Sequence, residues 1–115
     1  MFLLGDFNIA PDDLDVHDPD EWRDKILCSP TEREYINKLK SIGFIDLFRH
    51  KNKNLKAFSW WDYRAACFRR NRGLRIDLIL AYTQNRLSFD CWIDPSPRGW
   101  EKPSDHTPVL ASIKI

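Results

Sequence analysis

Cysteine is scarce in this chain: Cys28, Cys67 and Cys91 are the only three among 115 residues. They are odd in number, widely spaced and form no C-x-x-C pair. That argues against a disulfide framework or a zinc site and fits a reducing, cytoplasmic compartment. Long apolar runs are missing as well. None approaches the roughly 20 residues that span a bilayer, and no basic segment leads into an apolar one as in a secretory signal, so no membrane partner is expected. Neither sign of charge dominates. The net charge is +1, so no global field draws the molecule to nucleic acid or lipid. Internal repeats and low-complexity tracts are absent. What remains is a chain with room for one core, a single domain over residues 1–115. Its 43% hydrophobic content supports a globular fold rather than disorder.

Charge is distributed more tellingly than it sums. Residues 12–24 hold Asp12, Asp13, Asp15, Asp18, Asp20, Glu21 and Asp24. Residues 64–75 hold Arg64, Arg69, Arg70, Arg72 and Arg75 with no acid among them. An arginine-rich segment can grip phosphates whatever the total charge, or it can be a solvated loop. Ser29-Pro30-Thr31-Glu32 predicts a helix start, with Ser29 as cap, Pro30 in the first turn and Glu32 closing a capping box. Ile36, Leu39 and Ile42, with Tyr35 beside them, form an apolar stripe, and Gly43 is a natural stop. Strands are predicted over residues 1–4, 58–63, 74–82, 87–93 and 107–115, a short apolar segment over 44–48, and polar loops over 12–26, 52–56, 64–73 and 94–104, the first with a short helix around Trp22. Strands mixed with one good helix give an α/β layered domain whose later strands are mostly antiparallel.

Gly5-Asp6-Phe7-Asn8 follows the apolar run at residues 1–4, and Ser104-Asp105-His106 precedes the apolar residues 109–111. Each places polar side chains at the end of a buried strand, where rigid elements can fix them. Asp6 and Asn8 are two positions apart and share a side if the strand persists. Read alone, Gly-Asp-x-Asn also serves simply to turn the chain, and Ser104-Asp105 to end a loop. Asp77 sits in the apolar stretch at residues 74–80, and a carboxylate there must be paired or hydrogen-bonded. Its partner is either a structural donor or His106, which it would orient and keep charged. Phe58-Ser59-Trp60-Trp61-Asp62-Tyr63 is densely aromatic. Phe58 or Trp61 reads as core, while a ring at the loop edge could stack on a base or line a sugar pocket. An acid–amide pair, an acid–imidazole pair and a third acid together suit metal-assisted hydrolysis of a phosphodiester.

These residues resemble the C-terminal half of the bacterial exodeoxyribonuclease III family, within the endonuclease/exonuclease/phosphatase superfamily. The resemblance runs through residues 5–11, 29–49, 58–64, 71–78 and 101–109. It implies half of a four-layer α/β sandwich, a largely antiparallel sheet with outer helices, and DNA repair by cutting duplex DNA at abasic sites or 3′ ends. By resemblance, Asp6 activates or orients the attacking water and contacts a metal, the base being either Asp6 or the Asp77–His106 pair. Asn8 stabilises the transition state and touches the metal. Asp77 orients His106, Asp105 belongs to a Mg²⁺ site (Mn²⁺ being an alternative), and His106 binds the scissile phosphate beside that metal. Trp60 lines the pocket for an extruded sugar with Leu74 and Ile76 near it, and Arg72 is a further substrate contact. The family's N-terminal half, with its metal-binding Glu and one of the two sheets, has no counterpart here. A gene fragment, a split product or a misplaced start is therefore expected, and a separate N-terminal half is a candidate partner. One sheet without the other exposes an apolar face, and a metal site without its Glu is short of ligands, so the isolated chain is expected to be nearly inactive. A sibling phosphodiesterase or phosphatase, and a non-catalytic DNA-binding remnant, are the alternatives.

Overall fold

In the computed structural model, which describes residues 1–84 and 86–114, strand β1 (Phe2–Asp6) leads through a short helix α1 (Pro19–Trp22) to the main helix α2 (Pro30–Ile42). A two-residue strand β2 (Ile45–Asp46), helix α3 (Leu47–Lys51) and strands β3 (Asp77–Ala81), β4 (Ser88–Ile93) and β5 (Val109–Lys114) follow. Helix α2 starts where its cap residues require. The Glu32 N–H donates to Ser29 Oγ, and Glu32 Oε1 accepts from the Ser29 hydroxyl at 2.8 Å. It ends at Gly43, whose φ of 124° lies in the region that glycine tolerates best. The expected apolar stripe is narrower than its spacing suggests. Ile36 and Leu39 pack on the sheet, whereas Ile42 and Tyr35 are exposed. Six residues along a helix is about 240° of rotation, which carries Ile42 off the face that Ile36 defines.

Strands β1, β3 and β2 form one antiparallel sheet in that order, and β4 and β5 an antiparallel pair. The α/β class with antiparallel sheets is thus as expected. Side chains alternate across each strand, so Leu3, Leu78 and Leu80 meet Ile36 and Phe44 on the helix side. Ile79 and Ala81 face the other way, toward Leu47, Phe48, Cys91 and the inner side of β4–β5. A third cluster, Ala10, Val16, Cys28, Leu74 and Ile76, lies under Trp22 and Trp60. None of the helices among the described residues is long and apolar enough to cross a membrane.

Several predicted elements resolve differently. Residues 58–63 form no regular strand: Trp60 makes single bridges to Leu74 and to His106, because it is held between two segments rather than along one. The strand predicted over 74–82 joins the sheet only at Asp77, since the Arg75 N–H donates to the Asp15 carbonyl at 2.8 Å instead. The apolar segment at 44–48 divides at Asp46, whose side chain caps α3 by accepting from the Arg49 N–H. The last residue of the final predicted strand, Ile115, lies outside the described residues.

Arg75, fully buried, is the largest surprise in the core. Its Nε donates to Asp15 Oδ1 at 2.7 Å, and its two terminal nitrogens to the Asp46 carboxylate at 3.0 and 2.6 Å. Arg49 adds a second guanidinium to Asp15. This lattice ties the acid-rich segment, α3 and the approach to β3 together. A buried charge is tolerated only when paired in this manner.

Candidate active site

The end of β1 and the start of β3 are the same place. Asp6 and Asp77 are partners in the antiparallel register, so both carboxylates leave one face of the sheet. After Asp6 the chain turns: Asn8 takes a left-handed φ of 53°, which asparagine tolerates better than most residues. The Asn8 N–H donates to Asp6 Oδ1 at 2.9 Å. One carboxylate oxygen thereby fixes the turn while the other, Oδ2, stands 3.6 Å from His106 Nε2.

His106 arrives from the opposite side. Residues 104–107 run alongside residues 59–61: the Trp61 N–H donates to the Asp105 carbonyl at 3.0 Å, and the Thr107 N–H to the Ser59 carbonyl at 2.8 Å. The imidazole Nδ1 then lies 2.8 Å from Asp77 Oδ2. A carboxylate accepts only, so Nδ1 carries the hydrogen and Nε2 faces Asp6. Asp105 closes the group. Its Oδ1 is 3.9 Å from His106 Nε2, and its Oδ2 accepts from Trp60 Nε1 at 3.1 Å. A cavity of about 210 Å³, lined in part by Leu4, Gly5, Thr107 and Pro108, opens beside Asp77.

Electrostatics follow from that crowding. Partial burial opposes a charge on His106, but the hydrogen bond to Asp77 and the charges of Asp77, Asp6 and Asp105 outweigh it and lift its pKa above the ordinary imidazole value. Burial likewise pushes the Asp77 carboxyl up, against the hydrogen bond it receives from His106 and the opposing effect of the nearby Ser59 hydroxyl. Three carboxyl groups and one imidazole, the one group among them able to carry positive charge, thus share one small volume.

Asp6, Asp77 and His106 each offer a ligand atom within 4.8 Å of the others. Two carboxylates and an imidazole nitrogen, all partly open to solvent, are donors that a divalent cation accepts. This grouping takes in Asp77, which sequence reasoning does not place at the metal. Asp105 stands beside it, engaged by Trp60, and Asn8 lies exposed at the turn. Trp60 meets the edge of Trp22, ring centroids 6.5 Å apart. Leu74 and Ile76 are buried beneath it as floor rather than surface. Arg72 is exposed on the loop that also carries Arg69 and Arg70. Sequence reasoning does not single out Ser59, fully buried between the two halves of the site. A serine flanked by aromatics follows no pattern that marks it out.

Comparison with known proteins places this geometry. Residues 1–106 match the endonuclease/exonuclease/phosphatase family. The chain is 42% identical to the exodeoxyribonuclease III of Haemophilus influenzae over 99% of its own length and 46% of that protein's. Its fold superposes with a TM-score of 0.93 and 42% identity on a 3′ phosphatase from Neisseria bound to product DNA hairpin, covering 99% of this chain and 45% of that one. An AP endonuclease from Archaeoglobus fulgidus superposes with a TM-score of 0.89 at 35% identity, again over 45% of its chain. The chain therefore spans less than half the length of the relatives it matches.

Proposed function

Since the chain belongs to the endonuclease/exonuclease/phosphatase family, we propose that it forms the C-terminal portion of a divalent-metal-dependent DNA-repair phosphodiesterase, acting on duplex DNA at abasic sites and 3′ ends. The observation that carries this reading is the line Asp77–His106–Asp6, with spacings of 2.8 and 3.6 Å. Its first link is a hydrogen bond. Its second is too long for one and lets a phosphoryl oxygen or a water bridge the two atoms from the side.

Asp77 holds the Nδ1 hydrogen and favours the imidazolium. The charged Nε2–H then donates to a non-bridging oxygen of the scissile phosphate and stabilises the charge that grows there. Asp6 Oδ2, beside Nε2, orients the attacking water and accepts its proton, while the ester bond from phosphorus to the 3′ oxygen breaks and that oxygen leaves, taking a proton from solvent. Asn8 adds a neutral donor near the phosphate. Asp6, Asp105 and Asn8 would hold the cation, Mg²⁺ by the oxygen-rich donor set, with His106 beside it, since a protonated Nε2 has no lone pair to give a metal. When bound, such an ion neutralises phosphate charge and lowers the pKa of water. Trp60, on its floor of Leu74 and Ile76, forms a wall for an extruded sugar, and Arg72 meets the backbone phosphates. The relatives named for activity on DNA support the substrate class.

The test is a chimera joining the unmatched part of the Haemophilus influenzae relative to Met1 of this chain. With Mg²⁺ it is expected to incise a duplex at a single abasic site, while the chain alone shows little turnover. His106→Ala in the chimera should lower kcat by about 10²–10⁴-fold. A folded chimera that leaves abasic duplex intact, or a chain that alone turns over as fast as the chimera, overturns this reading.

A further inference from the structure

Asp77 and His106 come from segments that are not neighbours in either sheet, yet their side chains meet at 2.8 Å. Ser59 touches both segments next to the pair itself. Its Oγ accepts the backbone N–H of Ile76 and that of Asp77, each at 3.1 Å. Its carbonyl accepts the N–H of Thr107, the residue after His106, at 2.8 Å, and its own N–H donates to the Leu74 carbonyl at 3.0 Å. A hydroxyl has one hydrogen and two lone pairs. Both lone pairs are engaged on the Asp77 side, while the main chain is engaged on the His106 side.

The Trp61 N–H also holds the Asp105 carbonyl at 3.0 Å, but among the described residues of this segment Ser59 is the one that binds both the Asp77 N–H and the His106 loop. Thr107 Oγ1 donates to the Asp94 carbonyl, and the His106 N–H to Ser104 Oγ at 3.1 Å. These fix His106 within its own loop. Arg75, gripped by Asp15 and Asp46, fixes the approach to β3. Trp60 spans the same gap, but from the Leu74 backbone to the Asp105 side chain, so it holds neither Asp77 nor the backbone around His106 by a hydrogen bond. We propose that Ser59 is a positioning residue that sets Asp77 against His106, so that the imidazole is presented to Asp6 in one tautomer and one orientation. This rests on the reading of the site given above and adds to it a residue that touches neither phosphate nor metal.

A role confined to stability would leave the Asp77–His106 hydrogen bond unchanged in whatever fraction of the protein folds. Proton NMR of the ¹⁵N-labelled chain separates the two. The His106 Nδ1 proton, bonded to a carboxylate, resonates well downfield. In Ser59→Ala with a dispersed amide spectrum it should move upfield or vanish through exchange, and Ser59→Thr, which keeps the hydroxyl, should restore it. A folded Ser59→Ala with that resonance in place overturns the proposal. If Ser59→Ala does not fold, hydrogen exchange of the unsubstituted chain decides. The amides of Ile76, Asp77 and Thr107 all end on Ser59 and should exchange as one unit, within about threefold of one another; a wider spread overturns it. These measurements use neither DNA nor metal, so their failure is distinct from failure of the chimera to cut DNA.

Discussion

At the scale of single residues, the strongest electrostatic statement belongs to Asp46. Burial alone would raise its carboxyl, but the Arg75 guanidinium bonded to it outweighs that and holds it below the ordinary aspartate range. A carboxyl depressed in the folded state contributes stability that is complete above about pH 4 and is lost as pH falls through its folded value. Asp46→Asn should therefore cost about 3–5 kcal/mol near neutrality, because it leaves Arg75 half paired. The gap from the unsubstituted chain should narrow as the pH is lowered through the acid range, which urea titrations at several pH values will show. Thiol reactivity supplies a second residue-level check. Cys91 is buried and its thiol is pushed up to about 11 by desolvation. Cys28 is buried and raised for the same reason, while Cys67 lies partly open on the arginine-rich loop. A thiol reagent should label one equivalent under native conditions, at Cys67, and the other two only on unfolding. Native labelling of Cys91 would contradict the packing of β4 against α3.

Among the elements, α2 is the most legible, because its start and stop are written in adjacent residues. Ser29→Ala should cost about 1 kcal/mol through the lost cap. Gly43→Ala should cost about 1–3 kcal/mol. A side chain there must hold a φ of 124°, and its Cβ would come within 3.0 Å of the Tyr82 ring. Thermal melts of the two variants order them; a Gly43→Ala variant as stable as the parent would show that the turn relaxes. The segment at 58–63 reads as a strand because aromatic residues favour pleated surfaces. It is instead a spacer between Leu74 and His106, and nothing local distinguishes the two. α3 escapes sequence reading for a related reason: five residues carry too little periodicity to register. Its cap, Asp46, is also one of the four members of the charge lattice, whose pairs stand 29, 34 and 60 positions apart.

For the whole molecule, β1 is an edge strand, and its outward face is apolar: Phe2 is 44% exposed and Leu4 68%. The same face carries Asp6 at its end, so the apolar surface leads into the site. An exposed patch of that kind drives association, consistent with a second sheet being expected there from the family resemblance. Sedimentation of the isolated chain should show concentration-dependent self-association that Leu4→Lys weakens, and a strictly monomeric parent would contradict it. The site's parts are legible in the sequence because strands alternate and chemistry-bearing residues stand at strand ends: Asp6, Asp77, Asp105 and His106 are each marked out there. So are the α/β class, the family and the boundaries of α2, since these depend on neighbours within a few positions. The meeting of those residues was not determined there. That His106 turns Nδ1 to Asp77 and Nε2 to Asp6, that Leu74 and Ile76 lie beneath Trp60, and that Arg75 is buried between two aspartates are decisions of tertiary structure. Each depends on groups dozens of residues apart, whose desolvation and hydrogen-bond energies take effect only once the chain has closed around them.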